Sequence, residues 1–255
     1  MRIVSLCPSL TELVFDLGLG DDLVGITKWC VHPADRVGGI DKVGGTKDPD
    51  VARIVELAPD VVLVNEEENR REDAEALAAA GLRIANSFPK TSLDTAEMVR
   101  DYGRVLGTEE RAEAIARDIE ARTARVRAAA AERGEVRRFA YLIWRKPYMT
   151  VNGDTFASAL LEQAGGVNAF GDLAERYPAV EAADLAAAEL DHVFLCTEPF
   201  PFQDKHIAEL AEATGIPAER IRIADGEYLS WHGSRTPNGV DYAESLLWEG
   251  AAAGA

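Results

Sequence analysis

Two residues, Cys30 and His32, stand one residue apart, and with His206, His232 and the glutamates at 66–68 they are the side-chain types that hold a metal ion. No paired CxxC and no HExxH accompanies them, so the sequence provides no strong spacing for a protein-only metal site. His192 falls inside a strand and reads as structural. Nucleophilic chemistry is no better supported. Cys7 follows the first strand, but no motif ties a histidine to it, and it reads as a small buried residue. The chain has no GxSxG, no P-loop and no GxGxxG, and its Gly-Gly pairs at 38, 44 and 165 lack a phosphate-binding context. No residue is assigned a catalytic role.

A different chemistry is better represented. Trp29, Lys47, Glu66, Trp144, Arg145, Tyr148, Phe200, Phe202, Trp231, His232 and Arg235 fall in or beside predicted loops. Flat rings there offer large contact area at small entropic cost, and the polar groups among them fix orientation, which is the composition of a ligand site.

The elements that must position these residues are read from apolar periodicity. Residues 108–133 form one uninterrupted helix, with Ala112, Ile115, Ile119, Thr123, Val126 and Ala130 as a thin apolar stripe, Thr108 as cap and Gly134 as stop. At about 1.5 Å per residue it would span about 40 Å. Before it come strands at 3–6, 23–27, 61–64 and 82–85. They alternate with helices at 10–17, up to Leu57, up to Gly81 and at 93–106. Ser9 with Glu12 has capping-box spacing, and Asp48-Pro49 is expected to open the helix that ends at Leu57.

After the long helix come strands at 139–143, 191–196 and 221–224 and helices at 155–164 and 183–190. The helix-then-strand unit at 51–64 recurs at 183–196, pairing Ile54 with Leu185 and Asp60 with Asp191. Residues 228–236 read as a loop, Pro237 opens a last helix, and the Ala/Gly tail is expected to fray. The division is an N-terminal α/β lobe at 1–107, a connecting helix at 108–134 and a C-terminal α/β lobe at 135–255. Loops at the carboxyl ends of parallel strands are where open α/β sheets bind ligands.

Composition excludes several classes. A formal charge of -17 argues against a nucleic-acid partner, and no apolar stretch is long enough to enter and cross a bilayer. Three scattered cysteines do not make a disulfide framework. Met1-Arg2 stands directly before a strand, so the protein is expected to be cytoplasmic if Met1 is the native start, and periplasmic or at the cell surface if a leader was trimmed.

Three stretches carry a family likeness: RIVSLCPSLTELVFDLGLGDDLVGIT, VGGTKDPDVARIVELAPDVVLV and WRKPYMTVNGDTFASALLEQAGGVNAF. They resemble the helical-backbone (class III) substrate-binding proteins of ABC importers, in the branch that binds cobalamin and related metal chelates. The resemblance implies two Rossmann-like lobes with central parallel sheets, joined by one backbone helix, with the ligand in a cleft between them. It implies no intrinsic cofactor and no catalysis; the ligand would be cobalamin or another small-molecule metal chelate, and the partner an ABC permease. By position, Trp29 resembles the aromatic that lies against the corrin, Trp231 a cleft tryptophan, and Trp144 and Tyr148 the ligand-facing loop of the second lobe.

Lys47, Glu66, Arg145, His232 and Arg235 are the polar contacts expected beside them, with His232 a candidate axial contact to the chelated metal. Thr46 and Asn65 stand where the cobalamin binders carry further tryptophans, which implies a more polar pocket. Ala52 stands where they carry the glutamate that docks the first lobe on the permease. The rival readings are a direct metal-ion receptor using Cys30, His32 and His232, a cytoplasmic corrinoid- or tetrapyrrole-handling protein, a chelatase-like enzyme on the same architecture, and a protein whose cleft is vestigial and which works through its surface.

Overall fold

The computed structural model describes residues 1–248. The chain divides into two compact units. The first comprises Met1–Pro89, Asp94–Asp118 and His232–Arg235; the second comprises Lys90–Leu93, Ile119–Trp231 and, of the described residues after these, 236–248.

In the first unit, strands β1 (Ile3–Ser5), β2 (Leu23–Ile26), β3 (Val61–Asn65) and β4 (Ile84–Ser87) form one parallel sheet in the order β2-β1-β3-β4. The run Val61–Asn65 is buried along its whole length, as expected of a parallel strand covered on both faces. Val4, Leu6, Val62 and Val64 pack with Ile54 and Leu77 into one apolar cluster. Ile54 lies on helix α2 (Val51–Glu56) and Leu77 on α3 (Arg71–Ala79), the helices that precede and follow β3.

Three expected side-chain caps are not made: Thr108 stands before the long helix with its Oγ1 buried and without a hydrogen-bond partner, and two others are replaced. Helix α1 (Pro8–Asp16) starts at Pro8 with Cys7 as its extended N-cap residue, so Ser9 is already inside the helix and does not cap it. Proline suits this first position because its fixed φ is helical and its missing N–H would have had no partner. Helix α2 is capped by Asp50, whose carboxylate accepts from the Arg53 amide at 2.9 Å, not by Asp48. The loop before it closes on itself, with Gly44 bridged to Pro49 and the Asp50 amide bonded to Val43 O, and this uses up Asp48 and Pro49. Gly44 has φ +94°, and a Cβ there would lie 2.5 Å from the Asp48 carbonyl, so only glycine closes this loop. Strand β4 begins two residues later than its apolar run suggests.

In the second unit, β5 (Arg137–Leu142), β7 (Gly166–Asn168), β9 (His192–Cys196) and β10 (Ile221–Ala224) form a parallel sheet in the order β10-β9-β5-β7. Two-residue strands β6 (Tyr148–Met149) and β8 (Ala179–Val180) pair antiparallel. The helices are α6 (Phe156–Gln163), α7 (Ala182–Ala187), α8 (Asp204–Thr214), α9 (Gly226–Ser230) and α10 (Thr236–Trp248). Thr155 caps α6 by accepting from the Ser158 amide. Helix α9 takes up Tyr228, so the loop expected at 228–236 shrinks to a few residues. The tail expected to fray, residues 249–255, lies outside the described residues.

Between α4 (Ser92–Leu106) and β5 runs α5 (Glu109–Arg133), the long helix. It begins in the first unit and passes into the second after Asp118. On its stripe Ala112, Ile119, Thr123 and Val126 are buried, with Ile115 and Ala130 half-buried. Its second half is tied to α10 within the second unit: Arg122 and Arg125 pair with Asp241, and Arg125 and Arg133 pair with Glu244.

The repeat read in the sequence is present atom for atom. In the first unit the Arg2 amide donates to the Asp60 carboxylate at 2.7 Å and its guanidinium to Leu57 O at 2.6 Å. In the second the Arg138 amide donates to Asp191 at 2.8 Å and its guanidinium to Ala188 O at 3.2 Å. Ile54 and Leu185 are both fully buried.

Candidate functional site

In the first unit the candidates sit on loops that follow the carboxyl ends of β2 and β3, on the loop before α2, and on the returning segment His232–Arg235. Trp29 lies in the turn after β2, where its amide donates to Thr27 Oγ1 and its ring remains 57% exposed, with the Lys28 ammonium 5.3 Å from its centroid. Such a ring presents a flat apolar face to solvent. Lys47 donates to Glu67 O at 2.7 Å. Glu66 is exposed at the end of β3 and accepts from the Asn86 amide at 2.6 Å.

Asn65, the last residue of β3, organises this end of the sheet. Its Oδ1 accepts from the Glu67 and Glu68 amides at 2.9 and 3.3 Å, which makes its Nδ2 the donor to Ser87 O and to His232 Nε2 at 2.9 Å. His232 is buried, and its Nε2 lone pair is thereby engaged by Asn65. A metal contact through Nε2 would require breaking that hydrogen bond. Arg235 forms a two-pronged pair with Glu12 at 2.8 and 2.6 Å, and both side chains are largely buried. Glu12 therefore holds Arg235 and takes no part in a capping box. Thr46 is half-buried, and Glu68 beside it has its carboxyl pKa raised by desolvation, which the Lys47 ammonium opposes.

The metal-ligand types are not gathered. The Cys30 thiol is buried, accepts from Thr11 Oγ1 at 3.1 Å and lies 3.2 Å from Thr27 Oγ1; desolvation raises its pKa. Among the described residues no group of three or more His, Cys, Asp or Glu side chains is placed to hold a metal ion. Burial pushes the Cys7 thiol up to about 12, which leaves it inert as a nucleophile. His206 accepts from the Gln203 amide at 2.8 Å as part of the α8 cap, and His192 bonds Leu247 O.

In the second unit Trp144, two residues beyond β5, is 40% exposed, packed edge-to-face with Phe200 at 5.6 Å between centroids. Phe200 in turn stacks edge-on with Phe202 and His206, so Trp144 stands on an aromatic platform. Phe202 itself is core. Arg145 is ion-paired with Glu209 on α8. Tyr148 is half-buried against the cluster that includes Leu142, Val180 and Phe202. Trp231 ends α9, only 7% exposed, and its indole N–H donates to Glu198 Oε2 at 3.1 Å. Glu198, two residues beyond β9, was not singled out in the sequence. The signal available was its place after a strand, equivalent to Glu67 in the first unit.

Two wound parallel sheets of identical order, with exposed aromatics and polar side chains on their carboxyl-end loops and a long helix shared between units, define a ligand-binding class. The chain belongs to the periplasmic binding protein family, matched over residues 3–234, and is a substrate-binding protein of the class III, helical-backbone kind, not an enzyme. Its relatives include the vitamin B12-binding protein of Vibrio cholerae serotype O1, 24% identical over 248 residues, covering 96% of this chain and 88% of the relative. That of Vibrio parahaemolyticus is 28% identical over 193 residues, covering 76% and 70%.

Among solved structures, the periplasmic vitamin B12 binding protein BtuF of Vibrio cholerae shares the fold with a TM-score of 0.84 at 23% identity, covering 98% of this chain and 97% of the other. The periplasmic heme-binding protein RhuT from Roseiflexus sp. RS-1 does so with a TM-score of 0.82 at 24% identity, covering 96% and 98%. The expected α/β fold with two parallel-sheet lobes is thus established.

Proposed function

We propose that the protein captures a metal chelate of corrinoid or similar size for an ABC-type importer, working in the periplasm or at the cell surface. The contacts assigned to the ligand are Trp29, Lys47, Glu66, His232 and Arg235 of the first unit and Trp144, Arg145, Tyr148 and Trp231 of the second. Trp29 and Trp144 stack on the macrocycle. Trp231 and Tyr148, more deeply held, shape the surface around it, and Arg235 and His232 act mainly through the partners they fix.

The observation that carries the reading is the pair of half-open indoles, Trp29 and Trp144, each on a loop that leaves the carboxyl end of a parallel sheet. Relatives named for vitamin B12 binding support the ligand class. Titration of the purified protein with cyanocobalamin, read by tryptophan fluorescence, is expected to give saturable quenching. Trp29→Ala and Trp144→Ala should each weaken binding about tenfold, or ~1.4 kcal/mol. Unchanged affinity in both variants by calorimetry would remove the site assignment.

A further inference from the structure

Within the second unit, the packing beneath Trp144 singles out a buried residue that holds that ring in place; its functional meaning rests on the reading of Trp144 as a ligand contact. We propose that His206 is a positioning residue: its neutral imidazole fixes Phe200, and Phe200 fixes the angle at which Trp144 is presented.

The inward stripe of α8 does not call for a histidine. Its other members are Ile207, Leu210 and Ala211, and an apolar residue at 206 would fill the same buried place. What the imidazole adds is an acceptor. Its Nδ1 takes the Gln203 amide at 2.8 Å, which ties the start of α8 to the segment carrying Phe200 and Phe202. An accepting Nδ1 carries no proton, so the ring is neutral with its proton on Nε2. The ring then meets Phe200 and Phe202, each at 5.5 Å between centroids. Phe200 has little freedom: Pro199 and Pro201 flank it, and its amide donates to Ile143 O at 3.3 Å. Trp144 keeps a large exposed face and rests against Phe200, so the angle of the indole follows that of the phenyl ring. One turn further along α8, Glu209 holds Arg145, the next residue of the same loop.

Protonation undoes this arrangement. An imidazolium has two N–H donors and no acceptor, so an Nδ1–H would oppose the Gln203 N–H and the tie would be lost. The titratable groups on the surrounding elements do not offset the charge, and among the described residues none is ion-paired with the imidazole. Glu209 is engaged by Arg145, Glu198 by the Trp231 indole, and Asp184 on α7 by the Glu181 amide. On α8 itself Asp204 and Lys205 are exposed. Tyr148 of β6 is a phenol, and Lys146 and Arg222 bring further positive charge. The positioning is therefore complete at high pH and is lost as pH falls and the ring takes its proton.

The test has a ligand-free and a ligand-bound arm, both run from about pH 8 down to about pH 5. In the first, the full chain is labelled with fluorotryptophan and the fluorine resonance of Trp144, assigned with Trp144→Phe, is followed against pH. In the second, affinity for cyanocobalamin is measured by calorimetry. In the wild type the Trp144 resonance is expected to shift with a one-proton profile, and affinity to fall about threefold over the same range. His206→Asn keeps a side-chain acceptor for the Gln203 amide but cannot titrate, so it should bind as the wild type does at high pH and lose both pH dependences. His206→Phe fills the space without an acceptor, and should bind about threefold more weakly at high pH. A Trp144 resonance that does not move with pH, a shift that survives in His206→Asn, or unchanged affinity in His206→Phe overturns the positioning role while the chelate reading stands. If cyanocobalamin does not bind at any pH, the chelate reading falls, and the fluorine titration alone still decides whether His206 sets Trp144.

Discussion

The two units place the same corner under the same strand and finish it differently. In each, a short helix ends, one residue turns left-handed, and an aspartate receives the amide that starts the central strand. The left-handed residues are Ala58 at φ 44° and Glu189 at φ 51°, in equivalent positions between α2 and β3 and between α7 and β9. Neither is glycine, the residue that adopts this conformation without strain. A feature that is locally unfavourable yet present twice is held in place by its neighbours, here the Arg2–Asp60 and Arg138–Asp191 hydrogen bonds.

The carboxyl ends of the same sheets have diverged. β3 ends in Asn65, which holds His232 and its own turn. β9 ends in Cys196, whose Sγ accepts from the Tyr141 hydroxyl at 2.7 Å in an apolar setting. The scaffold is repeated, whereas the carboxyl ends of the two sheets are individual.

The comparison can be broken at its core first. Ile54→Ala and Leu185→Ala remove equivalent fully buried side chains and should each destabilise the fold by ~3 kcal/mol in urea unfolding; a large cost in one unit and none in the other would end the equivalence. The strand-starting aspartates come next. Asp60→Ala and Asp191→Ala each leave one backbone amide without its acceptor, at an expected ~1 kcal/mol apiece, read as a shift in the denaturation midpoint. Smaller and of opposite sign, Ala58→Gly and Glu189→Gly should each stabilise the protein by up to ~1 kcal/mol, because relief of the left-handed strain exceeds the added chain entropy.

The smallest effect is an acid one. Arg100 and Arg117 hold the Glu113 carboxyl down to about 2 in the first unit, and Lys90 with Arg176 lowers that of Asp154 in the second. A carboxyl lowered on folding contributes stability above its unfolded value and loses it as pH falls toward the folded one. The Glu113 contribution should therefore fade between pH 4.5 and about 2, and Glu113→Gln should flatten the stability profile across that window.

Much of this architecture was legible in the sequence because it depends on local signals. The long helix runs from Glu109 to Arg133, close to the residues its stripe, Gly107 and Gly134 mark out. The apolar runs became strands within two residues of expectation, and the internal repeat was readable because buried positions and the aspartate recur at one spacing. Helix caps were less legible. Ser9 and Asp48 have suitable side chains, but Pro8 and the closed Gly44–Pro49 loop decided where the helices begin, and loop closure depends on residues across the turn.

The sequence by itself determined the periodic elements and the list of ring and charged side chains available for a ligand, since both follow from residue type and spacing. Only the tertiary structure decided what those side chains are committed to. It set Arg235 on Glu12, 223 residues away, and His232 on Asn65, 167 residues away. It also left Trp29 and Trp144 in solvent while burying Trp231. Hydrogen bonds and burial depend on which groups the folded chain brings within about 3 Å of one another, and no local pattern records partners so distant along the chain.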